Sequence, residues 1–131
     1  MNLLSRLTIA WAVLFAIVHF YWAAGGSAGT NGEPTEELGA QLYIGVIALV
    51  GLASGAIAYG LARDPGRRLL VRLARLGGAA LLLGVAVGTT RWIAEGGLDG
   101  DGAAGVVTTL YFLVGGALFL TLSRPARVSS C

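Results

Sequence analysis

The chain has 131 residues, 56% of them hydrophobic and 12% charged, with a formal net charge of +2 and a mean hydropathy of +0.76. Those values are far from a soluble domain, and the length is that of one domain, so the sequence predicts an all-α integral membrane four-helix bundle over residues 1–131. The only cysteine is Cys131, which excludes an intrachain disulfide and dithiol redox chemistry, that of the membrane's disulfide-forming quinone reductases included. All nine basic residues are Arg; with Ala, Gly, Val and Leu dominant, this is the usage of a GC-rich bacterial genome.

Twenty-six residues without a formal charge separate Arg6 from Glu33, more than the roughly 20 that a spanning helix needs. The first helix is placed at about 3–24. A secretory signal peptide is the rival reading, with Gly26-Ser27-Ala28 as a small-residue cleavage site. The run is long for that, however, and its end, His19-Phe20-Tyr21-Trp22-Ala23-Ala24-Gly25-Gly26, has the aromatic anchors of a membrane interface. That places His19, the only histidine, just inside the boundary, where an ionisable group needs a partner or a wet cavity.

A Gly-, Ser- and Asn-rich loop leads to Pro34-Thr35-Glu36-Glu37, a helix start with acids in its first turn, and the second helix is placed at about 35–62. Glu37, Gln41, Gly45 and Ala48 share one stripe of it, polar only at the outer end. Gly51 and Gly55 form a face of small residues for close helix packing. Arg63-Asp64-Pro65-Gly66-Arg67-Arg68 turns the chain into a third helix at about 69–93, with Arg72 and Arg75 extending the basic cluster. The cluster reads as a topology determinant that also suits anionic headgroups.

The third helix has only fifteen charge-free residues, 76–90. They rise about 22 Å, short of the roughly 30 Å hydrocarbon core, which draws Arg91 toward the apolar region. Gly84 and Gly88 are expected at a helix crossing. A loop from Glu95 to Gly105 precedes a fourth helix at about 103–123, closed by Arg124-Pro125. Eight of the nine Arg fall on one side of this layout and Arg91 alone on the other, so both termini are expected in the cytoplasm of a bacterial inner membrane.

The outer halves of the helices collect the candidate binding residues His19, Tyr21, Trp22, Glu37, Gln41, Arg91, Glu95 and Tyr111, with Thr89, Thr90 and Thr108 nearby. This points to an outward-facing pocket with Arg91 as an anion or carbonyl holder and His19 as a donor or base. The alternative is local pairing: Arg91 with Glu95, Glu37 capping its helix, and His19 bonded to a neighbouring backbone group or Tyr. One His without an internal Met furnishes no haem or zinc site, and no cofactor is expected. No spanning run holds the deep carboxylate of a proton-coupled exporter. No nucleophile elbow, phosphate-cradling loop or nucleic-acid partner is expected either.

The His-x-Tyr-Trp-Ala-x-Gly-Gly pattern of His19, Tyr21, Trp22, Ala23, Gly25 and Gly26, and less closely Arg91, resembles the bacterial four-helix membrane proteins grouped as domain of unknown function family 3995. The resemblance implies the four-helix layout and brings no activity. An aromatic and proline expected near the start of the fourth helix are not matched: Tyr111 has no such proline. The functional expectation is a binder of a small lipid-like or partner molecule in an outer-leaflet pocket. The alternatives are a small enzyme using His19 with a carboxylate for acid-base chemistry, and an accessory subunit. Expected partners are the bilayer, a small apolar ligand, and a second copy or larger complex docked through the Gly faces.

Overall fold

The computed structural model describes residues 1–27, 37–94 and 102–124, with the backbone alone at 91–94 and 102–105. Four helices make up the architecture: α1 Leu3–Ala23, α2 Leu38–Arg63, α3 Arg68–Ala94 and α4 Gly102–Leu122. Helices α1 and α2 and the Arg68–Thr90 part of α3 are long and apolar enough to cross a membrane; α4 carries a shorter apolar stretch, Val106–Leu122. Leu14, Ile17, Leu42, Val46, Leu83 and Leu110 are among the many large apolar side chains exposed on the outside of the bundle.

The ends of α1 are set by local chemistry. Asn2 caps its start, the side-chain oxygen accepting from the Ser5 backbone N–H at 2.9 Å and from the Ser5 hydroxyl at 2.8 Å. At the other end Gly25 takes φ +88°, a left-handed conformation that glycine adopts without a Cβ clash. Gly25 N–H donates to the Trp22 carbonyl and Gly26 N–H to the Tyr21 carbonyl, both at 3.0 Å. This pair of bonds is a Schellman stop. The Gly-Gly that follows the aromatic cluster is therefore the device that ends the helix, and the Tyr21 ring lies over Gly26 where a Cβ would stand.

Packing divides the four helices into two hairpins, α1 with α2 and α3 with α4. In the first, Ala12 and Ala16 are wholly buried against α2. A Cβ on Gly51 would stand 2.7 Å from the Phe15 ring and 3.3 Å from Ala16, and one on Gly55 would stand 3.6 Å from Ala12. The crossing expected at Gly51 and Gly55 is there. In the second hairpin the close approach is at Gly78 and Gly116, where a Cβ on either would come within 3.1 Å of the other's carbonyl oxygen. The crossing expected at Gly84 and Gly88 is not found among the described residues: a Cβ on either meets none of them within 4 Å. The reason is angular: at about 100° of rotation per residue, Gly84 stands roughly 120° and Gly88 roughly 80° round α3 from Gly78, off the stripe that meets α4.

The hairpins join mainly in two places, with a smaller contact between α2 and α4. Helix α1 packs on α4 through rings, and α2 meets α3, Leu70 covering Gly60 beside the turn where Asp64 accepts from Gly66 N–H at 3.2 Å. Further along α3, Gly77, Gly84 and Gly88 face open space. The result is a cavity between the hairpins.

Candidate functional site

The larger cavity, about 680 Å³, lies between the hairpins and has walls from all four helices. Trp11 and Phe15 of α1 and Phe112 and Phe119 of α4 supply its aromatic side. Gly51 and Ile57 of α2 face Gly77, Gly84 and Gly88 of α3, whose missing side chains create the volume. Among the described residues no charged side chain lines it. Ser54 contributes a hydroxyl, but that group already donates to the Val50 carbonyl at 2.8 Å. At the other end Thr89 lines the cavity, and its Oγ1 is buried without a hydrogen-bond partner among the described residues. Its neighbour Thr90 donates to the Ala86 carbonyl at 2.7 Å. Size and apolar lining match the usual character of a small-molecule site.

A second cavity of about 380 Å³ sits between α1 and α4. It brings together three of the residues singled out in the sequence, His19, Trp22 and Tyr111, with Val107 and Thr108 opposite Leu14 and Val18. Phe15, Thr108 and Phe112 line both cavities and so form the wall between them. Phe15 and Phe112 meet edge to face, their centroids 5.8 Å apart.

The His19 side chain is held on three sides. Its Nδ1 lies 2.8 Å from the Phe15 carbonyl oxygen, its ring stacks on Phe15 at 4.0 Å, and Trp22 meets it edge-on at 5.1 Å. The backbone bond expected for this histidine is thus made, and the ring still lines a cavity. The chain of rings Trp11, Phe15, His19 and Trp22 runs along one stripe of α1 at spacings of four, four and three. That spacing is visible in the sequence and marks Trp11 and Phe15 as site residues, although attention there falls on the histidine end.

No family model, curated protein or solved structure matches the chain.

The remaining candidates are placed elsewhere. Tyr21 is exposed over Gly26. Glu37 stands at the N-cap of α2, exposed, and makes no side-chain cap bond there; the capping role considered for it is not taken up. Gln41 is half-buried on the first turn of α2 and lines neither cavity. Arg91 belongs to α3, but its side chain is not among those described, and Glu95 lies outside the described residues. Convergence of His19 with Arg91 and a carboxylate therefore concerns atoms beyond the described set. Among the described residues no three His, Cys, Asp or Glu gather as a metal site.

Chemically, the arrangement has the features of a binding cavity and not of a reaction centre. It offers apolar volume, aromatic faces and a few hydrogen-bonding atoms, with one imidazole fixed in orientation.

Proposed function

We propose that the chain is a multi-pass bacterial inner-membrane protein that binds a lipid-like molecule between its two helical hairpins. The observation that carries this reading is the cavity of about 680 Å³ with aromatic rings on one side and glycines on the other. In lipid, helices associate by close van der Waals contact. The two tight glycine crossings in this chain, at Gly51 with Gly55 and at Gly78 with Gly116, hold the hairpins internally. Between the hairpins Gly77, Gly84 and Gly88 of α3 meet none of the described residues, and an apolar molecule there restores contact that the helices themselves do not make. Insertion is supported by the apolar exterior and the span lengths. The cytoplasmic placing of both termini is supported by the Arg count.

The test is purification of the full chain in nanodiscs and mass spectrometry of what stays bound, for wild type and Gly84→Leu. A Leu side chain has room at this position and occupies the cavity. The expected result is a retained apolar molecule in wild type and its loss from a still folded Gly84→Leu. Equal retention in both would remove the central cavity as the site.

A further inference from the structure

The small cavity determines which end group the bound molecule carries. A carbonyl oxygen only accepts hydrogen bonds, so the 2.8 Å contact from His19 Nδ1 to the Phe15 carbonyl places the proton on Nδ1. In the neutral ring Nε2 is then an acceptor. Among the described residues it has no partner: His19 makes one hydrogen bond, through Nδ1. The Phe15 stack and the Trp22 edge keep the ring from turning, so the acceptor is oriented before anything binds. Tyr111 does not compete for it, because its hydroxyl already donates to the Trp11 carbonyl at 2.9 Å.

What surrounds this acceptor narrows the ligand further. Among the described residues, apart from His19, Thr108 and the ring edges of Trp22 and Tyr111, the lining is aliphatic or phenyl, and it includes no Lys or Arg side chain. A phosphate or carboxylate placed there would find no Lys or Arg in the described lining, and His19 itself would have to take up a second proton in an apolar wall to compensate it. A hydroxyl fits, because it donates to Nε2 and needs nothing more than the Thr108 hydroxyl in return. The neighbouring central cavity, separated only by the shared wall of Phe15, Thr108 and Phe112, has the volume for an apolar tail.

We propose that His19 Nε2 receives the hydroxyl of an uncharged, long-chain amphiphile whose tail occupies the cavity between the hairpins. This rests on the central cavity as the binding site, and the experiment separates the two claims. The probes are hexadecan-1-ol and its methyl ether, equal in apolar character but with and without a donor, added to the full chain in nanodiscs of a zwitterionic lipid. Binding is read from the rise in Tm across a titration. Wild type is expected to bind the alcohol roughly three- to tenfold more tightly than the ether, the range of one net hydrogen bond.

His19→Phe keeps an aromatic ring against Phe15 and Trp22 but has no acceptor. It is expected to bind both probes alike, at the level wild type shows for the ether. Gly84→Leu is expected to lose both. Equal binding of the two probes by wild type would overturn the hydroxyl assignment and leave the cavity reading standing. So would an alcohol preference that persists in His19→Phe. Unchanged affinity of both probes in Gly84→Leu would overturn the location of the tail, and no binding of either probe to wild type would overturn both claims. The wild-type comparison needs no variant to fold.

Discussion

Trp11 and Tyr111 each donate a hydrogen bond to the other's backbone: the indole N–H to the Tyr111 carbonyl at 3.0 Å, and the phenol to the Trp11 carbonyl at 2.9 Å. Their rings stack between these bonds, centroids 5.0 Å apart and 23° from parallel. One residue is on α1 and the other on α4, so the pair clamps the first helix to the last. Gly115 makes room for it, since the Trp11 indole occupies the space where a Cβ would stand. Carbonyls already engaged in a helix accept these second bonds through their remaining lone pair.

Because the two bonds close one ring of contacts, the pair should be coupled. Trp11→Phe and Tyr111→Phe are each expected to lower stability by about 0.5–1.5 kcal/mol for the bond removed. The double variant should lose less than the sum, as either change frees the rings to shift. Thermal melting of the four proteins in one detergent checks this; strict additivity would show that the two bonds act independently.

Glycines on α3 should differ sharply in their tolerance. Gly78→Leu drives a side chain into the Gly116 carbonyl and should cost at least about 1–3 kcal/mol, the scale of an overpacked core. Gly84→Leu enters the cavity and should leave the melting temperature within a few degrees of wild type. Melting curves of the two variants side by side decide the matter.

Thr89 carries the one buried side-chain polar atom without a partner among the described residues. Thr89→Val removes that hydroxyl and keeps the shape, so the unliganded protein should gain up to about 1 kcal/mol. A loss of stability on this substitution would mean that the hydroxyl has a partner.

The distribution of Arg predicts that Cys131 is cytoplasmic. An impermeant thiol reagent should leave intact cells unlabelled and label the chain after permeabilisation. The same reading predicts that the first helix is retained, so N-terminal sequencing of the purified protein should find no start near Gly29.

Four helices, three of them long and apolar enough to cross a membrane, were legible in the sequence because charge-free runs, Gly-rich loops and the Arg-rich turn depend on neighbours along the chain. The Gly51 and Gly55 crossing was legible for the same reason, and His19 stood out as the only imidazole in an apolar run. The partner of each face was decided only by tertiary structure. Gly78 and Gly84 are the same residue in the same helix, and nothing in their local sequence distinguishes a glycine against Gly116 from a glycine that opens a cavity. The angular setting of α3 between α2 and α4 does so. In the same way, the side chains that surround His19 come from α4, about 90 residues further on, where Val107, Thr108 and Tyr111 close the small cavity. Spacing along a helix gives the direction of a side chain; what that side chain meets depends on how the hairpins dock.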